Sequence, residues 1–225
     1  MSETGSLAYW FDIAPERAAE WLDWYLRDHM PSRVGAVFAS GRCYEALQAT
    51  ASHMVLFETA SPEALFAPAY LGLLNRVSDE DRARRAWYAH PVRVVCRVRS
   101  RCGRGTGSVL GVVRIANGKA AANEIARCLA EDVVPAVAKA AGIGAVWVLE
   151  NDRLLRARMD EARVTGHADD SADFALLIEA AHERDADRAL QRLNALPAWR
   201  GLALGGAATT GTYRLLYTMS QSDHA

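Results

Sequence analysis

Met54-Val55-Leu56-Phe57-Glu58 and Ala175-Leu176-Leu177-Ile178-Glu179 decide the fold. Each is a short apolar run closed by a glutamate, and they hold matching places in two similar halves of the chain. Leu7–Arg99 and Val109–Met219 each read as strand, helix, strand, strand, helix, strand. Such self-similarity is the first thing to look for in a sequence, because it sets the architecture. Two more matches keep the same order. Gly35-Ala36-Val37-Phe38 answers Gly144-Ala145-Val146-Trp147, and the helix through Ala18-Ala19-Glu20-Trp21, before Pro31, answers Ala122-Asn123-Glu124-Ile125, before Pro135.

Val55-Leu56-Phe57, Val94-Val95-Cys96 and Leu215-Leu216-Tyr217 are apolar on both faces of the pleat, which a sheet wetted on one side would not favour. Each sheet is therefore covered twice, by helices on one face and by the sheet of the other half on the second. The expected fold class is α+β: two tandem ferredoxin-like βαββαβ repeats forming an intramolecular dimeric α+β barrel. The expected division is a first repeat over 1–102, a connection over the glycine-rich 103–107, and a second repeat over 108–225.

Within the first half, Leu7–Ile13 reads as a strand and Pro15 opens a helix that runs to His29, since Pro31 pushes Met30 out of helical geometry. Val34–Tyr44 and His53–Thr59 read as strands. Ser61-Pro62-Glu63 reads as a capped start to a helix over Pro62–Asn75 kinked at Pro68, and Val92–Arg99 closes the half. In the second half, Val109–Ala116, Gly144–Leu149, Phe174–Ala180 and Thr212–Met219 read as strands. Ala120–Ala141 and Asp185–Leu196 read as helices, Asn151–Asp173 as a polar excursion, and Gly201–Gly211 as a mobile loop.

The chain has 225 residues, a formal net charge of −1 and 51% hydrophobic residues. That balance gives no electrostatic case for nucleic acid or an anionic membrane. Cys43, Cys96, Cys102 and Cys128 lack CxxC spacing, and no charged-then-apolar leader precedes Leu7, so a reducing cytoplasmic setting is expected. Val133–Leu149, the longest mainly apolar stretch, is broken by Pro135 and Lys139 and is too short to span a bilayer. Gly103, Gly105, Gly107 and Gly111 are followed by a strand rather than a helix, which removes the geometry of a phosphate loop. His53, His90, His167 and His182 show no metal-ligand spacing, so neither a metal nor another cofactor is expected.

Trp21-Leu22-Asp23-Trp24-Tyr25, then Asp28-His29-Met30-Pro31, then Phe38, Arg42 and Tyr44 resemble the signature of the EthD-like branch of the dimeric α+β barrel superfamily. In that branch a helix bearing tryptophan and tyrosine ends in a His-x-Pro motif, and the next strand carries an aromatic, an arginine and a tyrosine. This chain departs from the pattern in having Val37 in place of a glycine. Its second half has Asp132-Val133-Val134-Pro135, so valine stands where the first half has His29.

The residues support a site without that resemblance. Ala18, Trp21, Leu22, Tyr25, Leu26 and His29 fall on one helical stripe, which turns the imidazole toward the core. The helix dipole favours its charged form and burial its neutral form, so a pKa near neutrality is expected, suited to a general acid or base. Arg42 and Tyr44 are two apart on one strand and share a face with Phe38 and Ser40. Asp28 points about 100° away from His29 around the helix, leaving Glu58 as the better orienter, although its counterpart Glu179 suggests a structural role in both halves. Trp10, Trp21, Trp24, Tyr9 and Tyr25 concentrate aromatic surface in the first half and would wall a pocket for a flat apolar molecule, while packing in the core explains the same residues without a ligand.

The expected function is a cofactor-independent enzyme acting on a small hydrophobic or aromatic metabolite by proton transfer, of isomerase, cyclase or lyase type. His29 is its catalytic residue, and Tyr44, Arg42, Trp21, Tyr25, Phe38 and Tyr9 bind substrate. The alternatives are a non-catalytic ligand-binding or assembly protein, and, beyond that, a haem-binding protein or an oxygenase. The expected partner is the small molecule, with no nucleic acid and no membrane, and further self-association is compatible with the fold.

Overall fold

A computed structural model describes residues 4–116, 122–162 and 169–221. The chain runs β1 (Gly5–Asp12), α1 (Pro15–Trp24), a π-helical turn (Tyr25–His29), β2 (Ser40–Gln48), β3 (His53–Thr59), a 3₁₀ turn (Pro62–Phe66), α2 (Pro68–Asn75), α3 (Asp79–Arg85) and β4 (Ala89–Gly103). It continues with β5 (Val109–Ile115), α4 (Ala122–Cys128), a second π turn (Leu129–Val133), α5 (Val134–Ala138), β6 (Ile143–Asn151) and α6 (Arg153–Ala162). β7 (Phe174–Ala180), α7 (Glu183–Ala195), α8 (Pro197–Gly201), a 3₁₀ turn (Gly205–Ala207) and β8 (Ala208–Ser220) complete it.

The eight strands close into a mixed α+β barrel in the order β1-β3-β2-β8-β5-β7-β6-β4, with β4 returning to β1. All pairings are antiparallel. The halves join at two seams, β2 with β8 and β4 with β6, so no strand edge is left open.

Three apolar layers follow from strand alternation. Ala8 and Trp10, Met54 and Leu56, Val94 and Cys96, Trp147, and Ala175 and Leu177 fill the barrel interior. Their neighbours Leu7, Phe11, Val55, Phe57 and Val95 face outward, where α1 and the π turn after it cover them with Trp21, Trp24 and Tyr25. On the other half, Val113, Ile115, Leu176 and Ile178 meet Ile125, Leu129 and Val133 from α4 and its π turn. Val55-Leu56-Phe57 and Val94-Val95-Cys96 are accordingly buried on both faces. Leu215-Leu216-Tyr217 is only half-buried, Leu215 packing against the barrel interior and Leu216 and Tyr217 against the outer layer of the first half.

The helix expected to run to His29 changes its winding at Tyr25. Met30 N donates to Tyr25 O at 2.8 Å, a bond back over five residues, just before Pro31. The corresponding bond from Val134 to Leu129 stands just before Pro135. Insertions of this kind recur at functional sites, and here one ends on His29.

Five expectations are corrected. Val34–Ala39 is not strand: Gly35 has φ of 93°, and its N–H closes on Phe38 O at 3.0 Å, so β2 begins at Ser40. Gly35–Phe38 therefore has no structural correspondence with Gly144–Trp147, which lies in β6. Pro62–Asn75 is two pieces, since Ala67 is extended before Pro68, and Ser61 makes no side-chain cap. The excursion Asn151–Asp173 contains α6, started by Asp152, whose carboxylate accepts the N–H groups of Leu154 and Leu155 at 3.0 Å each. Gly201–Gly211 is largely ordered into the end of α8, a 3₁₀ turn and the first residues of β8.

Candidate functional site

Between the sheet of the first half and its helices lies a partly enclosed cavity of about 70 Å³. Leu7 and Tyr9 of β1, Val55 and Phe57 of β3 and Arg93 of β4 form its floor. Tyr25, His29, Arg33 and Phe38 come from the π turn and the loop after it, and Tyr70, Leu74, Arg85 and Tyr88 close it from the segment after β3. Alternation places the β1 and β3 residues here: odd-numbered positions point to the helices and even-numbered ones into the barrel.

The aromatic walls hold one another in place. Tyr88 stacks on Phe11 with centroids 4.1 Å apart, and its hydroxyl accepts a hydrogen bond from Trp21 Nε1 at 3.0 Å. Phe38 packs against Phe57 at 4.6 Å and against Tyr70 at 5.1 Å. The His29 ring makes tilted contacts with Trp24 at 4.7 Å and Tyr25 at 4.9 Å.

His29 is buried, and its Nδ1 lies 3.4 Å from an oxygen of Asp81 on α3. Burial, followed by the Arg33 charge, depresses the imidazole pKa well below its ordinary value, against the pull of Asp81. The expectation of a pKa near neutrality is thus corrected: in this pocket desolvation and the charges of Arg33 and Arg85 outweigh the pull of Asp81, and the ring is neutral at pH 7. A carboxylate accepts only, so Nδ1 carries the proton and Nε2 is left with its lone pair. No partner for Nε2 is present among the described residues. The hydrogen bond from His29 in turn holds the Asp81 carboxyl below its usual value. Burial raises the Tyr25 hydroxyl well above its ordinary pKa, keeping it a proton-bearing donor.

Of the residues expected to form the site, His29, Tyr25, Phe38 and Tyr9 line this cavity. Trp21 sits directly behind it, fully buried and bonded to Tyr88. Arg42 and Tyr44 are elsewhere. They share a face as expected, but that face is the barrel interior, while Phe38 precedes β2 and packs on the opposite side of the sheet. Arg42 donates to Glu179 at 2.5 Å, to Glu58 and to Tyr44 at 3.3 Å. Burial opposes the Arg42 charge, yet Tyr44, Glu179 and Glu58 together hold its pKa above the ordinary value. Glu58 is therefore not the orienter of His29; it belongs to this ion network and Asp81 takes the place by His29.

Sequence reasoning passed over Asp81, Arg33, Arg85 and Tyr88. A signal existed for two of them. Ser78 caps α3 through Asp81 N at 3.0 Å, and from that start Asp81 and Arg85 fall four apart on one face. Among the described residues no group of three or more His, Cys, Asp or Glu side chains could hold a metal ion, and no helix is long and apolar enough to cross a membrane. His167 lies outside the described residues.

No family model and no curated protein matches this sequence. Among solved structures, an anthrone oxidase-like protein superposes with a TM-score of 0.67 at 12% identity, covering 100% of this chain and 96% of that one. A proposed monooxygenase from Fusobacterium nucleatum gives 0.62 at 8% identity, with 98% and 95% covered. A proposed chlorite dismutase gives 0.56 at 10% identity, with 96% of each chain covered. At such identities the likeness shows the fold, a dimeric α+β barrel of ferredoxin-like halves, and not the reaction.

Proposed function

We propose that this protein is an EthD-like barrel enzyme that takes a small aromatic molecule into the first-half cavity and moves a proton with His29. The observation that carries the reading is the neutral imidazole at the cavity, fixed in one tautomer by Asp81. A base of this kind needs its orienter on one ring nitrogen and its substrate on the other. His29 Nε2 would accept a proton from an acidic C–H or O–H of the ligand and return it to a neighbouring position, giving an isomerisation. Asp81 is a positioning residue that stabilises the imidazolium formed on the way. Tyr9, Tyr25 and Phe38 supply aromatic contact. Trp21 supports the wall through Tyr88, and Arg42 and Tyr44 stabilise the barrel.

In the second half, the positions of Trp21, Tyr25 and His29 are taken by Ile125, Leu129 and Val133, all buried in an apolar layer. The proposal is accordingly one proton-transfer site per chain.

An oxygenase reading is favoured by the descriptions of two structural neighbours, and it shares the first step. A proton removed by His29 leaves an enolate or carbanion, which dioxygen could then oxidise. The test is deuterium exchange in D₂O over a panel of enolisable aryl ketones, with dioxygen uptake followed in parallel. His29→Gln should slow exchange by about 10²–10⁴-fold. Exchange without dioxygen uptake supports the isomerase reading, and uptake dependent on His29 supports the oxygenase. Bound panel members that exchange no faster than in buffer would leave the ligand-binding protein as the correct description.

A further inference from the structure

The charges around the cavity are unevenly satisfied. Arg93 is held by Asp160 and by Asp169 at 2.8 Å, so that end is covered by acids. The His29 end is different. Arg33 is 6% exposed, yet its bonds are to neutral acceptors, the His29 carbonyl at 3.0 Å and the Ser32 hydroxyl at 2.5 Å. Arg85 is half-buried and lines the same cavity. Among the described residues neither guanidinium is in an ion pair, and Asp81 is the carboxylate that faces them. Two positive charges against one negative leave an excess of one at this end.

A buried guanidinium without a carboxylate is costly unless something anionic completes it. The cost shows in Arg33 itself, whose pKa is depressed by burial and by the nearby Arg85 charge. We propose that Arg33 and Arg85 are the binding groups for an anionic oxygen, and that the ligand of this cavity is a small aromatic anion, an aryl or arylalkyl carboxylate. This rests on the reading of the cavity as a ligand site and adds the chemical class. The carboxylate would sit across the two guanidiniums, with the aromatic ring between Tyr9, Tyr25 and Phe38. Charge-assisted bonds from planar guanidinium groups suit a carboxylate better than a neutral carbonyl. His29, neutral beside them, would face the carbon next to the anion and not compete for it.

The test is calorimetric titration of the full chain with phenylacetate and with its uncharged counterpart phenylacetamide, in wild type, Arg85→Gln and His29→Gln. Wild type should bind phenylacetate at least about tenfold more tightly. Arg85→Gln should lose that preference, phenylacetate affinity falling more than phenylacetamide affinity, and His29→Gln should keep the preference. Equal affinity for the two probes, no phenylacetate binding at millimolar concentration, or an unchanged preference in Arg85→Gln would overturn the proposal. The His29 reading fails separately: a normal carboxylate preference combined with unchanged proton exchange in His29→Gln would remove the base and leave the anion site standing. Arg33→Lys, checked by circular dichroism for an intact fold, should weaken phenylacetate binding in the same sense.

Discussion

Replacing Glu179 by leucine tests whether the barrel interior is fastened across its two halves by one buried ion network. Glu179 is fully buried and accepts from Arg42 at 2.5 Å and from Gly107 N at 2.9 Å. Arg42 comes from β2 and Glu179 from β7, strands that are not neighbours in the barrel, so the pair spans the interior. Leucine at 179 removes both bonds and strands Arg42, which is 3% exposed, with Glu58 and Tyr44 as its remaining partners. Breaking a buried pair on one side typically costs about 3–5 kcal/mol. Glu58 stays in place, so the low end applies, about 3 kcal/mol, with up to about 1 more for the orphaned Gly107 N–H. For a chain of this size each kcal/mol lowers Tm by about 2–4 °C, which gives a fall of about 6–16 °C. Urea unfolding followed by tryptophan fluorescence should show a lower midpoint at an unchanged slope. Arg42→Met combined with Glu179→Leu should recover most of the loss, since the penalty comes from the stranded charge and not from the missing bond. A single variant that loses under about 1 kcal/mol, or a double variant no better than the single, would refute the reasoning.

Three further outcomes follow from the site and its surroundings. His29 has a folded-state pKa below its unfolded one, so its contribution to stability is present above about pH 6.5 and is lost as pH falls below that. Unfolding free energy measured from pH 7.5 to 5 should decline less steeply in His29→Gln, by up to about 1.4 kcal/mol per pH unit; parallel curves would show that the ring is charged when folded. Asp81→Asn, with its fold checked by circular dichroism, should reduce proton exchange on the order of 10-fold or more through a mispositioned tautomer; unchanged kinetics would dismiss it as orienter. Met159→Ala in α6, a fully buried side chain packed with the first-half core, should cost about 2–5 kcal/mol in thermal unfolding, and a loss below about 1 would mean that α6 does not cover this layer in solution.

The fold was legible because the strands carry their own period. Val55-Leu56-Phe57 and Phe174–Ala180 must be covered on both faces, and antiparallel strands joined by helices satisfy that by closing a barrel. What resisted reading was punctuation. Gly35 turns the chain just where apolar spacing suggested a strand, and the extended residue before Pro68 divides a helix that hydrophobicity alone would run together. Leu155 and Met159, four apart behind the Asp152 cap, were the available signal for α6, but the surrounding charge masked them.

The candidate site was half legible for a similar reason. Helical spacing brings Tyr25 and His29 to the cavity, because residues four apart along a helix share a face even when the last turn is π-wound. Strand spacing brings Arg42 and Tyr44 together, but no pattern within one strand says which face meets the helices. In the fold Cys43 packs in the helical layer and its two polar neighbours face the barrel. Asp81 lies 52 residues from His29 in sequence, and its approach depends on how α3 docks, a tertiary fact with no local imprint. The same docking brings Arg85 to Arg33 and creates the unbalanced charge. The proposed chemistry of the cavity thus depends on one short helix, over a charged stretch, Ser78–Arg85, that reads in sequence as a further helical turn or an exposed loop, and its removal from the cavity rim should abolish anion preference and proton transfer together.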